Sequence, residues 1–204
     1  NFIQLAPGDS PRAMMGYSIT QLLYILNHYG LISDGFKNEL NKTASLIDEL
    51  QEEIQADAEK ITNHLFGKIP IIYACDGYKG MAVRFTQQLA ENSKMLSWHN
   101  IIPEMNHNEL VGWRTKNENL AVIFFRNETD HKRNQKRIEI NNEVVSKYTS
   151  SVMEYWSKGD SMIEKTFYLI NVCDHVSFNL SKRNNVIVEE IEVINYLKEE
   201  LAKF

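Results

Sequence analysis

The sequence predicts an α/β fold, in which a parallel sheet is flanked by helices on both faces. Three short and almost wholly apolar runs lie at residues 69–75, 120–125 and 151–156, and segments with helical spacing of apolar residues separate them. Strands of this kind are covered on both faces, as they are when helices connect parallel strands. We therefore expect a three-layer α/β sandwich with long flanking helices.

The first third of the chain is predicted to hold a connecting segment and two helices. Prolines and a glycine mark the connection at residues 7–11, and helical spacing runs from Ala13 to His28, where Gly30 ends it. Residues 40–66 predict one long amphipathic helix with an acidic outer face. Its carboxylates are expected to be solvated helix surface rather than a metal site.

The remaining elements alternate between strands and helices. The run at residues 69–75 is bounded by glycines and is predicted to be the first buried strand, and the other two apolar runs are the next strands. Helices are predicted at residues 83–94, 130–147, 160–182 and 188–203.

A glycine-containing segment, DGYKG at residues 76–80, follows the first predicted strand. Sheets of this class bind ligands beyond the carboxyl ends of their strands, and glycines can let a backbone approach a phosphate. The segment matches neither a Walker nor a dinucleotide-binding pattern. A plain turn is the favoured interpretation, and a phosphate-binding loop is the alternative.

Composition and charge limit the functional classes to which this protein could belong. A net charge of −5 over 204 residues argues against a general nucleic-acid binder. The sequence has no apolar run of the roughly 20 residues that span a bilayer, and its start does not resemble a signal peptide. Cys75 and Cys173 lie in apolar segments, so we expect buried free thiols and a cytoplasmic protein.

One basic stretch, at residues 126–137, interrupts this acidic sequence. Solvated helix surface is the default interpretation of such a stretch, and an anionic ligand or a subunit contact is the alternative.

Residues 91–113 carry the strongest chemical signal. Carboxylates, imidazoles and amides crowd between two apolar stretches, as proton transfer in a partly dry pocket requires. A polar loop with a capped helix start is the alternative. His99, Glu104, His107 and Glu109 lack the spacing of known metal sites, and the chain has no GxSxG motif for a serine nucleophile. Carboxylate and imidazole acid/base chemistry is therefore the hypothesis.

Several motifs resemble those of one family. ENSK at residues 91–94 and PEMNHNELVGW at 103–113 resemble the ENxK and PELNHNEIVGW signatures of bifunctional phosphoglucose/phosphomannose isomerases. SPRA at 10–13 resembles the segment that links the two sugar-isomerase (SIS) domains of that family. DHVS at 174–177 and Leu197-Lys198 resemble its C-terminal region. The resemblance covers nearly the whole chain and about the second half of the family.

The resemblance implies a fold and a division of the chain. The three-layer α/β sandwich would be of the SIS type, which is flavodoxin-like. Residues 1–66 would be a linker and helical segment that joins a preceding SIS domain, and residues 67–204 would be the C-terminal SIS domain.

The resemblance also implies roles for single residues. Glu91 matches the general base that moves a proton between C1 and C2 of the sugar through a cis-enediolate. His107 matches a histidine that helps to open the sugar ring and reaches the neighbouring subunit's site, and Lys198 matches a lysine at the active site. Arg84 and Asn108 are predicted to contact substrate. For Glu91 and Lys198 the alternative is an exposed helix side chain, and for Arg84 it is a salt bridge. For His107 the alternative is a core histidine bonded by its flanking asparagines.

The phosphate-binding part of the family pattern is missing. The glycine-rich GMGGS-like loop and the SxSGNTxE-like loop of the first SIS domain have no counterpart here. We therefore expect this chain alone to isomerise sugar phosphates poorly, since lost positioning can forfeit about 7–11 kcal/mol.

The implied function is interconversion of glucose 6-phosphate and mannose 6-phosphate with fructose 6-phosphate, with no cofactor and no metal. The implied partners are a phosphorylated hexose, the preceding SIS domain and a second subunit in a homodimer with sites at the interface; nucleic acid and membranes are not expected as partners. The alternative is a non-catalytic, regulatory SIS module that binds sugar phosphates.

Overall fold

Four parallel strands form one sheet, and helices cover both of its faces. The computed structural model describes residues 3–4, 7 and 10–204, so the predicted connection at residues 7–11 lies partly outside the described residues. The helices are α1 (Met15–His28), α2 (Gly35–Glu49), α3 (Gln51–Leu65), α4 (Lys79–Ser93), α5 (Glu104–His107), α6 (Lys132–Val145), α7 (Met162–Arg183) and α8 (Glu192–Leu201). The strands are β1 (Ile69–Cys75), β2 (Trp98–Ile102), β3 (Leu120–Arg126) and β4 (Val152–Trp156).

The strand order is β2-β1-β3-β4, and every neighbouring pair is parallel. The order reverses between β1 and β3, the two central strands, whose apolar side chains are almost all buried. This is the strand order of a flavodoxin-like sheet. The predicted parallel α/β fold is confirmed.

The two faces of the sheet have separate cores. On one face, Ile72 and Ala74 of β1 and Ile123 and Phe125 of β3 pack under α3, α4 and α7. On the other face, the alternate residues of the same strands pack under α5 and α6. Residues on α4 and on α5 therefore belong to opposite sides of the sheet.

The sequence prediction missed β2. Only Ile101 and Ile102 of this strand are well buried, and Trp98, His99 and Asn100 precede them. A strand at the edge of the sheet is covered less completely than a central one, so it does not need an unbroken apolar run. The segment WHNII therefore gave no clear strand signal inside the polar stretch.

The predicted helix at residues 40–66 is in fact two helices, α2 and α3, that meet at Leu50. Leu50 has φ −98° and ψ 11°, outside the helical region, although its N–H still bonds to the oxygen of Leu46 at 3.0 Å. Apolar residues line one side of both helices, so the helical spacing continues through the bend and the sequence does not reveal it. Similarly, α4 begins at Lys79 rather than at residue 83.

The DGYKG segment forms a single 3-10 turn, Asp76–Tyr78, that leads directly into α4. Tyr78 is only 3% exposed, and its hydroxyl lies near Thr129 in the loop after β3. The buried Tyr78 ring therefore lies beside the reversal of strand order, where a ligand would otherwise be expected.

The remaining sequence expectations can be placed in the fold. Cys75 and Cys173 are buried free thiols on opposite faces of the sheet, as expected. In the basic stretch, Lys136 is exposed and pairs with Glu139, whereas Arg126 is buried against Glu154. None of the helices that the structure describes is both long and apolar enough to cross a membrane.

Candidate active site

Glu91 lies in the last turn of α4, with 41% of its side chain exposed. Its Oε2 atom lies 3.3 Å from the Nη1 atom of Arg12. The helix presents Glu91 outward because the next two residues, Asn92 and Ser93, are buried against α7.

Arg12 is the partner of Glu91 that sequence reasoning did not single out. Its guanidinium donates to Glu91, to Oδ1 of Asn92 at 2.8 Å and to the carbonyl oxygen of Val188 at 2.8 Å. Only 14% of the side chain is exposed, so the cation is held in a fixed position. The SPRA motif contains Arg12, but its resemblance to the segment between two SIS domains suggested only a linker.

Two of the sequence motifs meet in the fold. Asn92 donates from Nδ2 to Oγ of Ser177 at 2.9 Å, and Ser93 donates from Oγ to the carbonyl oxygen of Ser177 at 2.7 Å. The ENSK motif at the end of α4 is thereby fixed to the DHVS motif on α7.

Arg84 supports this arrangement from two turns earlier on α4. Its Nη2 atom donates to Oδ2 of Asp174 at 2.7 Å and to the carbonyl oxygen of Arg12 at 3.0 Å. Gln88 donates to the other oxygen of Asp174 at 3.0 Å. Arg84 thus forms a salt bridge, which was the alternative to substrate contact in the sequence analysis. It also holds the backbone of Arg12.

Lys94 ends α4 and ties the chain after α7 to it. Its ammonium donates to the carbonyl oxygens of Glu91 at 2.6 Å, Glu190 at 2.7 Å and Val188 at 3.3 Å. Its backbone is left-handed, with φ 56° and ψ 38°, which is uncommon for a residue other than glycine. Lys94 and Arg12 therefore both hold Val188, in the segment that leads into α8.

A groove of about 330 Å³ lies between the end of α4 and the start of α8, and Glu91 lines it. Ile191 and Ile194 form part of the opposite wall. Lys198 is exposed and follows Ile194 by one helical turn, so both lie on one side of α8. The structure therefore places Glu91 and the helix that carries Lys198 beside the same groove.

His107 and Asn108 lie elsewhere. His107 ends α5, just beyond the carboxyl end of β2, and both side chains are exposed. Asn108 donates from Nδ2 to Oε1 of Glu104 at 3.1 Å.

Within one chain Glu91 and His107 are at opposite ends of β2. Glu91 precedes the strand on the face covered by α4, and His107 follows it on the face covered by α6. Five strand residues at about 3.3 Å each separate the two ends by roughly 16 Å. At this separation we do not expect one chain to bring both groups to a single substrate.

The residues weighed as metal ligands are also dispersed. His99 faces α4, where its Nδ1 atom lies 3.5 Å from Oγ1 of Thr86. Glu109 lies on the other face of β2 and bonds to Asn100. Over the part of the chain that the structure describes, no three His, Cys, Asp or Glu side chains cluster as metal ligands would.

Comparison with known proteins gives a consistent result. Residues 54–201 match the family model of the bacterial phospho-glucose isomerase C-terminal SIS domain. A bifunctional phosphoglucose/phosphomannose isomerase of Caldicellulosiruptor bescii is 31% identical over 98% of this chain and 62% of its own length. The enzyme of the same name from Aquifex aeolicus is 27% identical over 98% of this chain and 61% of its own length.

The fold has counterparts among solved structures. The crystal structure of glucosamine-6-phosphate deaminase from Thermotoga maritima superposes with a TM-score of 0.58 at 10% identity, covering 89% of this chain and 54% of that one. The chain spans about three fifths of the length of the curated relatives that it matches.

Proposed function

Because the chain belongs to the family of bacterial phosphoglucose isomerase C-terminal SIS domains, we propose that it supplies the acid/base half of an aldose–ketose isomerase. The proposed reaction interconverts glucose 6-phosphate and mannose 6-phosphate with fructose 6-phosphate. The observation that supports it most directly is the Glu91 carboxylate, held between Arg12 and the groove that separates α4 from α8.

In the proposed mechanism Glu91 takes the proton from C2 of the open-chain aldose and returns it to C1, while the hydroxyl proton on O2 is transferred to O1, so that C1 becomes the alcohol and C2 the ketone. A negative charge develops on the enediolate oxygens between these steps. Arg12, fixed by its bonds to Asn92 and Val188, is a preorganised cation beside the base and is suited to stabilise that charge. Lys198 on α8 would approach from the opposite wall of the groove.

The proposed active unit is a dimer in which His107 serves the partner's site. The basis is the separation of Glu91 and His107 by the length of β2, together with the exposure of His107. In a two-fold dimer, His107 of each subunit would contact the site of the other, so the contact would be made twice.

We propose that a preceding SIS domain, joined through residues 1–66, binds the substrate phosphate. The chain spans about 61–62% of the length of its two named isomerase relatives, which leaves room for one. Within this chain, the buried Tyr78 lies at the end of β1, beside the position at which a sheet of this class would bind a phosphate.

The test compares this chain with the longer protein that includes the preceding domain, in a coupled assay for fructose 6-phosphate. We expect the longer protein to turn over both aldose phosphates and this chain to be nearly inactive. Glu91→Gln in the longer protein should abolish turnover and spare substrate binding. Glu52→Gln, at an exposed position on α3, is the matched control.

Intact turnover in the Glu91→Gln protein would show that Glu91 is not the base. Binding of both sugar phosphates without turnover in the unaltered longer protein would instead favour the non-catalytic regulatory module.

A further inference from the structure

A fully paired polar cluster lies on the sheet beneath the segment that carries His107. The Glu109 carboxylate accepts hydrogen bonds from three side chains: the Tyr73 hydroxyl at 2.5 Å, Asn100 Nδ2 at 2.6 Å and Trp98 Nε1 at 3.2 Å. The Tyr73 hydroxyl in turn accepts a bond from Trp113 Nε1 at 3.2 Å. Three donors to one carboxylate fix its position, because each oxygen has a defined partner.

The donors belong to rigid parts of the fold. Tyr73 is fully buried in the central strand β1, and Asn100 is its register partner in β2. Burial raises the pKa of Tyr73 above its ordinary value, so the hydroxyl keeps the proton that it donates to Glu109. Asn100 is held as well, since its Oδ1 atom accepts from the N–H of Ile101 at 2.7 Å.

The other flank of His107 is anchored independently. Asn106 donates from Nδ2 to Oδ1 of Asn141 on α6 at 2.5 Å, and Met105 is fully buried below it. His107 and Asn108 are thus an exposed pair between two fixed points, Asn106 and Glu109.

We propose that Glu109 is a positioning residue, which sets the direction in which His107 leaves the sheet. This inference rests on the proposed function, because it assigns Glu109 a role only through His107. A surface loop needs no such carboxylate: Glu109 is only partly buried and borders a groove, yet three side chains of the sheet and its edge donate to it. The cluster is therefore best explained by the geometry that it imposes on the exposed imidazole.

The hydrogen-bond pattern allows a specific exchange experiment. In Glu109→Gln the new amide nitrogen would face Asn100 Nδ2, donor against donor, and in Asn100→Asp two carboxylates would face each other. The double variant Glu109→Gln/Asn100→Asp restores one donor and one acceptor at the same place. Its Gln oxygen still accepts from Tyr73 and Trp98, and its Asp still accepts from Ile101.

The measurement is kcat and KM for glucose 6-phosphate in the longer protein, with each variant made with and without His107→Ala. We expect each single substitution to lower kcat about tenfold or more with a smaller change in KM, since small misplacements of a reacting group can cost about a hundredfold. The double variant should recover most of that loss. In the His107→Ala background, Glu109→Gln should cost less than about twofold, because Glu109 would then have nothing to position.

Two results would count against these ideas in different ways. If Glu109→Gln lowers kcat by the same factor with and without His107, or if the double variant recovers nothing, Glu109 is not a positioning residue for His107. If His107→Ala itself keeps normal turnover, the proposed role of His107 in the reaction is wrong.

Discussion

Arg12 and Glu91 form the pair on which the proposed chemistry depends most. Their side chains come from residues 79 positions apart, and the guanidinium is fixed by two further acceptors. A cation held in this way is already oriented when charge develops, so it stabilises the transition state without reorganising.

We predict that Arg12→Ala lowers kcat by about a hundredfold or more, the size found when a preorganised donor is removed from a site of developing charge. Arg12→Lys should lose less, because it keeps the charge but not the fork of donors that reaches Asn92 and Val188. Steady-state kinetics of the longer protein would measure both, with the exposed Arg133→Ala as control. Unchanged kcat in Arg12→Ala would remove Arg12 from the reaction.

Resemblance to family motifs identified more of the candidate site residues than residue spacing alone did. Glu91, His107 and Lys198 were selected by their resemblance to family signatures, whereas Arg12 lay in a motif that suggested only a linker. Contacts such as Arg12 with Val188 join residues 176 positions apart, and no local pattern reports them. The roles assigned to Glu91, His107, Lys198, Arg84 and Asn108 stay predictions.

Among the elements, α8 depends most on a few polar contacts. It has no buried residue, and the segment before it is held by Lys94 and Arg12 at Val188 and by Lys94 at Glu190. The helix that carries Lys198 is thus attached to the end of α4 mainly through carbonyl oxygens.

Removing the Lys94 ammonium should loosen α8. We predict faster amide hydrogen exchange across Glu192–Leu201 in Lys94→Ala and in Lys94→Gly, and no change in the exposed Lys147→Ala. Lys94→Gly should be the more stable of the two by about 1 kcal/mol, because glycine adopts φ 56° without strain. Equal exchange in all three variants would mean that Lys94 does not hold the helix.

The elements differ in how well the sequence predicts them. The central strands were found because burial on both faces demands an unbroken apolar run. The strand β2 was missed because an edge position tolerates His99 and Asn100, and the bend at Leu50 was missed because the apolar stripe continues through it. The arrangement of the site depends on β2, so the separation of Glu91 from His107 was not predictable without it.

For the whole molecule, the arrangement of these two residues predicts subunit complementation. A mixed dimer of Glu91→Gln and His107→Ala subunits would carry both changes at one site and neither at the other. Random mixing of equal amounts should therefore restore about a quarter of normal turnover in a two-fold dimer. Coupled assays after unfolding and refolding the two impaired proteins together would measure the gain over either protein alone.

Refolding either variant alone controls for recovery of each protein. No activity in the mixture, although mixed dimers form, would mean that Glu91 and His107 act within one subunit.

The edge position of β2 has a consequence for handling the protein. An edge strand presents a row of backbone N–H and C=O groups to its surroundings, and here the partly exposed ring of Trp98 lies at one end of that row. Such edges recruit further strands and are a common origin of aggregation. A preparation of this chain alone is therefore expected to lose solubility as its concentration rises.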